Sequence, residues 1–316
     1  MDRRSVARPV EANVVERKKE LDFEHRNRLL SPARATLTLG YLRAYWRRLW
    51  RRTRAAAATA VARPAPGTIA LTFVGHATVM LTTPRVRILT DPMLENTVLG
   101  LGRVRAAALA AEDLGDVNLV LISHAHRDHL SRPSLARLPR GATLVVPPRC
   151  GGLVADLGFA RVVELAAGHR FAFEDVDVTA VPARHSGARG PIDRRRRGVN
   201  GYVVHAEGRT VYFAGDTGYF SGFVEIGRRY TPDVALLPIA GYQPATFRDE
   251  HLSPLDALQA FDDLGARVLI PIGYGSFELS YEPISEPLDW LQTLARDRRL
   301  GAALTVLEHG QTCLLR

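Results

Sequence analysis

Cysteine is scarce in this 316-residue chain, which contains only Cys150 and Cys313. Two cysteines far apart in sequence are too few for a disulfide framework, so a small secreted scaffold held by disulfides is excluded. Neither cysteine lies within the histidine-rich segment described below. We therefore expect the protein to work in a reducing compartment, and we predict that it is cytoplasmic.

Long apolar runs are also missing. The sequence contains no stretch of about 18 apolar residues, the length that a transmembrane helix requires. The first 35 residues contain no apolar core segment, so no secretory signal is predicted. A soluble chain of this length, with 46% hydrophobic residues, can bury a large core in one α/β domain or two small ones.

Acidic residues are scarce near the N-terminus. Residues 1–66 contain 16 Lys and Arg but only 6 Asp and Glu, whereas the other 250 residues contain 26 basic and 27 acidic side chains. The whole positive excess therefore belongs to this segment. We predict a basic extension at 1–66, which ends at a stiff proline-rich connector, and a folded domain at 67–316.

Within this extension, the segment from Leu37 to Arg54 has the spacing of an amphipathic helix. Such a helix can pack its aromatic face on the protein, lie on an anionic membrane surface, or bind nucleic acid. Nucleic acid is the least favoured partner, because no reader motif accompanies the arginines. The apolar positions are Leu39, Leu42, Tyr45, Trp46, Leu49 and Trp50.

Metal-type donors are concentrated in one short segment, His124-Ala125-His126-Arg127-Asp128-His129. It follows the apolar run 118–122, which favours a strand. Imidazoles and a carboxylate at the end of a strand are typical ligands of zinc and its first-row neighbours. A solvated polar turn is the alternative, and the downstream sequence argues against it.

Two more donors follow predicted strands. His185 comes after the alternating segment 176–182, and Asp216 comes after the apolar run 210–214. Each residue alone is typical of a loop or turn. The glycines on either side of Asp216 allow a tight turn and a close approach of the backbone to a metal. Together with the first cluster, these residues predict one site built from several strand ends.

These segments resemble the metallo-β-lactamase superfamily, whose His-x-His-x-Asp-His motif matches residues 124–129. Within it, the chain is most similar to the branch of N-acylphosphatidylethanolamine-hydrolysing phospholipase D and its bacterial relatives. The likeness runs from about Thr68 to the C-terminus and implies a four-layer αββα sandwich. It is carried by residues 74–79, 182–185, 213–219, 241–242 and 251–254.

The resemblance also implies residue roles. His124, His126 and His185 would hold one zinc ion. Asp128 and His129 would hold a second, with Asp216 bridging the two. His251 matches a position near the reacting group of the phospholipase D branch.

One position departs from the family pattern. After the strand predicted at 267–272, the pattern expects a histidine, the last ligand of the second metal, but the chain has Gly273. The second zinc would then be completed by water, by a neighbouring side chain, or not at all. His309 is better interpreted as a turn residue than as a substitute. His76 would line the pocket, orient a ligand or stabilise its loop, and we do not count it as a ligand.

These features predict a metal-dependent hydrolase, with a phosphodiesterase of phospholipase D type as the favoured form. A zinc-bound hydroxide, oriented by Asp128, would attack a small-molecule or phospholipid-like substrate. His251 would stabilise the developing negative charge or protonate the leaving oxygen. A lactonase or amidase on the same site is the alternative. Gly273 motivates a third hypothesis, a catalytically impaired protein that binds a metal or ligand. The sequence leaves the oligomeric state open, and membrane contact would make the cytoplasmic protein peripheral.

Several elements are predicted directly from periodicity. Strands are expected at 69–74, 79–83 and 86–90, and later at 268–272, 303–307 and 312–315. A helix is expected to run to Leu264, with Ser253 as its N-cap and Pro254 at its first position. The four arginines 194–197 are expected in a loop, either solvated or attracting a phosphate-bearing substrate.

Overall fold

The computed structural model describes residues 62–190, 193 and 197–316. The predicted amphipathic helix from Leu37 to Arg54 lies outside the described residues, as does most of the expected extension at 1–66. Of the arginine run, only Arg197 is described. The three interpretations of the N-terminal helix, membrane contact among them, therefore stay predictions.

Strands and helices alternate along the described chain. The strands are β1 Ile69–Gly75, β2 Thr78–Thr82, β3 Arg87–Thr90, β4 Thr97–Val98, β5 Leu101–Gly102, β6 Leu119–Leu121, β7 Thr143–Val146, β8 Arg161–Glu164, β9 Arg170–Phe173, β10 Val176–Pro182, β11 Asn200–Ala206, β12 Arg209–Phe213, β13 Val234–Pro238, β14 Val268–Ile272 and β15 Thr312–Leu315. The α-helices are α1 Arg132–Ala136, α2 Gly222–Tyr230, α3 Pro254–Leu264 and α4 Glu286–Asp297. Short 3-10 turns occur at Ala111–Leu114, Gly151–Leu153, Ala155–Leu157, Ala245–Asp249 and Gly301–Ala303.

Two mixed sheets form the centre of the fold. The first has the strand order β15-β1-β2-β3-β6-β7-β8, and the second has the order β14-β13-β12-β11-β10-β9. Alternate residues of the first sheet point to opposite sides. Leu71 and Phe73 join the core shared with the second sheet, whereas Val74 and Met80 join a separate core with Leu135 of α1. The first sheet is therefore buried on both faces.

The longer helices pack against the second sheet. Phe223 of α2, Leu258 and Phe261 of α3 and Leu291 of α4 belong to the same hydrophobic core as strands β10 to β14. Burial of such side chains contributes about 1.5–3 kcal/mol each, which makes this the main source of stability on that side. The predicted sandwich of sheets and helices is confirmed.

The direction of the strands places their carboxyl ends at one edge of each sheet. Strands β1 and β3 each pair antiparallel with β2, and β3 pairs parallel with β6, so β1, β3 and β6 end at the same edge. Strands β10, β12, β13 and β14 share an edge for the same reason. Two bonds join these edges, from Asn200 N to Ser123 O at 2.9 Å and from Tyr202 Oη to Ile122 O at 2.8 Å. Loops that follow these strands therefore meet.

Most of the predicted elements are confirmed. The strand Val176–Pro182, the strand Thr312–Leu315 and the helix Pro254–Leu264 have the predicted bounds. The strand predicted at 303–307 is wrong, because Leu304 makes only one isolated bridge, to Leu269. The turn Gly301–Ala303 brings the chain to the edge of β14. Thr305 N donates to Leu269 O at 2.9 Å, and the pairing does not continue beyond this bond.

No helix among the described residues is both long enough and apolar enough to cross a membrane. The apolar helical faces described above are instead covered by the second sheet.

Helix α3 begins with a capping box. Ser253 Oγ accepts a bond from Asp256 N, and the Asp256 carboxylate accepts bonds from Ser253 N and Oγ in return. Pro254 occupies the first turn, where a missing N–H costs nothing. Ser253 is fully buried, so this cap also holds the chain that leads to His251.

We expect Ser253→Ala to lower the free energy of unfolding by about 1 kcal/mol, because it leaves helix N–H groups without their acceptor. Urea unfolding measures this change. Ser285→Ala is the matched control, since Ser285 is also an N-cap serine but makes no side-chain cap bond. Equal losses in the two variants would contradict the role of the capping box.

Candidate metal centre

All six predicted ligands and His251 meet at the common strand edge. The structure places them in overlapping groups whose donor atoms lie within 4.8 Å of one another. The groups are His124, His126 and His185; His76, Asp128 and His129; Asp91, His124 and His129; and His185, Asp216 and His251. Two of these residues, His76 and Asp91, were not predicted as site residues.

The first predicted ligand set is a cluster of three imidazoles. The ring centroids of His124, His126 and His185 lie 4.5–4.8 Å apart. His185 Nδ1 donates to the Glu250 carbonyl oxygen at 2.8 Å, which leaves Nε2 without a proton, 3.1 Å from His126 Nδ1. His124 Nε2 is buried and has no hydrogen-bond partner. One nitrogen of each imidazole therefore lies within 4.8 Å of the other two.

The second set combines two carboxylates with an imidazole. His129 Nε2 lies 3.0 Å from Asp216 Oδ2 and 3.4 Å from Asp128 Oδ2. It is buried, yet neither contact has the geometry of a hydrogen bond. A short distance without hydrogen-bond alignment is typical of donor atoms arranged around a common centre.

Asp91 is a buried site residue that sequence reasoning missed. It follows β3 directly, so the signal was the one used for Asp216, a carboxylate just after a strand. Its carboxylate accepts bonds from Ser123 N at 2.7 Å, from Ser123 Oγ at 2.5 Å and from His129 Nδ1 at 2.7 Å. Three donors compensate the buried charge.

The same carboxylate sets the tautomers of two imidazoles. The Ser123 hydroxyl proton goes to Asp91, so His124 Nδ1 donates to Ser123 Oγ at 2.8 Å and its Nε2 keeps a lone pair. His129 donates from Nδ1 to Asp91, which directs its Nε2 toward the site. Such bonds fix the ring orientation of metal-binding histidines.

Burial and mutual interaction shift the charges of the donors. Burial holds the pKa of His124 well below its usual value and lowers the pKa of His185 to about 3, so both imidazoles are neutral. Burial alone would raise the pKa of Asp128 and Asp216, but His129 outweighs it and holds both carboxyls well below their usual range. For His129, burial is outweighed by Asp216, Asp128 and Asp91, which raise its pKa well above the usual value.

Close packing of two loops holds Asp216 and His185 in place. Gly215 has φ 61°, and a Cβ there would lie 2.4 Å from Ser123 Cβ, so only glycine allows this approach. Arg184 N donates to Thr217 Oγ1 at 2.9 Å, and Gly218 N donates to Arg184 O at 2.8 Å. The loops after β10 and β12 are therefore bonded to each other.

His251 lies at the rim of the donor cluster. Its Nδ1 donates to the Phe247 carbonyl oxygen at 3.2 Å, so Nε2 faces the site, 3.7 Å from Asp216 Oδ2. Its ring centroid is 4.8 Å from that of His185. This places a titratable nitrogen beside the donors and open to solvent.

Part of the donor cluster, including His126, Asp128 and Asp216, lines an open cleft of about 760 Å³. Arg127 and Arg189 line one part of it. Leu99, which is 70% exposed, lines another part together with Phe277 and Leu279. The cleft thus offers both a cationic and an apolar surface to a substrate.

Gly273, which stands where the family pattern expects a histidine, lines the same cleft. Its N–H donates to the His76 carbonyl oxygen at 2.9 Å. His309 lies in a turn, where Nδ1 donates to Ala106 O at 2.9 Å, and burial lowers its pKa to about 4. It belongs to none of the donor groups found among the described residues.

The donor set fits divalent metal ions. One buried nitrogen, His124 Nε2, has no hydrogen-bond partner, a state that costs about 1–3 kcal/mol unless another group binds it. Neutral imidazoles and ionised carboxylates are the ligands that zinc and related first-row ions prefer. A metal ion would satisfy this nitrogen.

Comparison with curated proteins gives full-domain matches. The chain is 31% identical over 266 residues to N-acyl-phosphatidylethanolamine-hydrolyzing phospholipase D 1 of Caenorhabditis elegans, covering 76% of this chain and 74% of the relative. It is 32% identical over 245 residues to a UPF0173 metal-dependent hydrolase of Methanopyrus kandleri, covering 77% and 98%. The chain spans 66% of the length of an uncharacterised Mycobacterium tuberculosis relative, to which it is 31% identical over 75% of its own length.

Solved structures and family models agree with these matches. Igni18, a metallo hydrolase from the archaeon Ignicoccus hospitalis, superposes with a TM-score of 0.59 at 25% identity, covering 79% of this chain and 99% of that one. The model of the β-lactamase superfamily domain matches residues 86–274, more than half of the chain. Because that match covers more than half of the chain and includes every donor from Asp91 to His251, the chain belongs to the β-lactamase superfamily.

Proposed function

We propose that the protein is a metal-dependent hydrolase that cleaves phosphodiesters carrying an apolar group. The observation that carries this proposal is the buried nitrogen His124 Nε2, which has no hydrogen-bond partner, in a donor cluster whose His126, Asp128 and Asp216 line an open cleft. The names of the relatives from Methanopyrus kandleri and Caenorhabditis elegans, a metal-dependent hydrolase and a phospholipase D, support it.

The donors divide between two metal sites. His124, His126 and His185 would hold one ion, and Asp128 and His129 would hold another, with Asp216 between them. We propose zinc, which suits a mixed set of imidazoles and carboxylates. When bound, such ions supply Lewis acidity and a water nucleophile at neutral pH.

The side chains around these sites then direct the proton transfers. Asp128 is held ionised beside His129, so it can accept a hydrogen bond from the attacking water and orient it. His251 Nε2 faces the cleft and can hold the proton that the leaving oxygen needs. His251 thus lies beside the donors, with Nε2 3.7 Å from Asp216 Oδ2.

The cleft walls support the proposed substrate class. Arg127 is exposed at the cleft between His126 and Asp128, where a guanidinium can bind a phosphate oxygen. Leu99 and Leu279 expose large apolar side chains at the same cleft. Exposed apolar surface beside a polar centre is typical of a site that binds an amphipathic ligand.

We expect His124→Ala to lose bound metal and to reduce hydrolysis of bis-p-nitrophenyl phosphate by on the order of 100-fold or more. Loss of a partner that merely orients a ligand already costs about 10–100-fold. Mass spectrometry of metal content and the hydrolysis rate measure the two effects. His205→Ala is the control, because His205 is an exposed imidazole at the other end of β11 from Asn200. A variant as active as this control would contradict the hydrolase proposal.

Asp91→Asn tests the buried carboxylate. We expect about 10–100-fold weaker metal binding, because the neutral amide no longer holds His124 and His129 in their binding tautomers. Zinc titration against a competing chelator measures the affinity. Asp175→Asn, an exposed aspartate in the β9–β10 turn, is the matched control. Equal zinc affinities in the two variants would show that Asp91 does not hold His124 and His129 in their metal-binding tautomers.

Arg127→Ala tests the substrate class. We expect KM for an anionic phosphodiester to rise roughly tenfold, corresponding to about 1.4 kcal/mol, while hydrolysis of a neutral lactone or amide is unchanged. The control is Arg85→Ala, an exposed arginine in the β2–β3 turn at the opposite end of the strands. Turnover of the lactone or amide with no phosphodiester activity would instead favour the alternative hydrolase.

A further inference from the structure

His76 lies next to the second donor set, although the sequence did not predict it as a ligand. It follows β1, is buried, and its Nε2 lies 3.1 Å from Asp128 Oδ2. Its ring centroid is 5.1 Å from that of His129. One nitrogen of His76, one oxygen of Asp128 and one nitrogen of His129 form a group within 4.8 Å.

The distances in this group are close to those expected between ligands of one ion. Ligand atoms about 2.0–2.2 Å from a tetrahedral zinc lie roughly 3.3–3.6 Å from one another. Asp128 Oδ2 is 3.4 Å from His129 Nε2 and, at 3.1 Å, somewhat closer to His76 Nε2. These three atoms lie together, and Asp216 Oδ2 approaches the group through His129 Nε2, at 3.0 Å.

The backbone of His76 is held in a strained conformation. Its φ of 58° lies in the left-handed region, which a non-glycine residue adopts at a cost of about 1–3 kcal/mol. Two bonds from the loop after β14 clamp the residue. Ser276 Oγ accepts from His76 N at 2.8 Å, and Gly273 N donates to His76 O at 2.9 Å. Strain maintained in this way is typical of functional sites.

The same loop does not favour a histidine at position 273. Gly273 has φ 74°, and a Cβ there would lie 3.2 Å from Pro238 Cβ. A side chain at this position would therefore be strained. The residue that Gly273 bonds to, His76, carries an imidazole beside Asp128.

We propose that His76 is a ligand of the second metal ion, together with Asp128, His129 and Asp216. This inference rests on the proposed function, because it assumes that the site binds two ions. The competing explanation is that His76 only positions Asp128 through a hydrogen bond. In that case a side chain that keeps the bond but coordinates metal poorly would preserve the second ion.

His76→Gln separates these roles, because its amide can still donate to Asp128 but is a weak zinc ligand. Metal content is measured by mass spectrometry on the full chain after zinc loading and dialysis. We expect two zinc ions per wild-type chain and one per variant chain. The control is His309→Gln, a half-buried histidine in the neighbouring turn, which should retain both ions.

Two ions in His76→Gln, or only one in the wild-type chain, would overturn the inference. Failure of the proposed function gives a different result, a wild-type chain without metal or hydrolysis. Should His76→Gln not fold, a crystal of the zinc-loaded wild-type chain decides through its anomalous scattering. A zinc peak bonded to His76 Nε2 supports the inference, and a second-site peak without that bond overturns it.

Discussion

The buried carboxylate of Asp91 is the interaction on which the metal centre depends. It accepts three hydrogen bonds, two from Ser123 and one from His129, and it reaches His124 through the Ser123 hydroxyl. A carboxylate can only accept, so Ser123 and His129 Nδ1 both donate to Asp91, and His124, which donates from Nδ1 to Ser123, keeps a lone pair on Nε2. The charge that burial would penalise is thus compensated by the groups it orients.

The two sheets bring this network and the remaining donors to one place. Strands β3 and β6 deliver Asp91 and the cluster 124–129, while β10 and β12 deliver His185 and Asp216 from the other sheet. The bonds from Asn200 to Ser123 and between the loops after β10 and β12 join the two halves. The rigid strands determine where each donor-bearing loop begins, and each loop spans only a few residues between the end of its strand and its first donor.

Gly273, which stands where the family pattern expects a histidine, takes part in holding His76. Its positive φ and the nearby Pro238 disfavour a side chain, and its N–H is used to hold His76. An imidazole from β1 then stands beside Asp128. The cleft above combines Arg127 with exposed Leu99, which offers charge and apolar surface to the same ligand.

Local pattern predicted the strands 176–182 and 312–315 and helix α3 with its Ser253 cap, and it indicated candidate donors directly after strands. It failed at 303–307, where an apolar run makes only one bridge. It also missed Asp91, whose partner His129 lies 38 residues away in sequence, and it could not tell which residue His76 contacts, since Asp128 lies 52 residues away. The sequence by itself determined which residue types stand at the strand ends, since periodicity is local. Only the tertiary structure decided which of those side chains meet, because that depends on the pairing of distant strands.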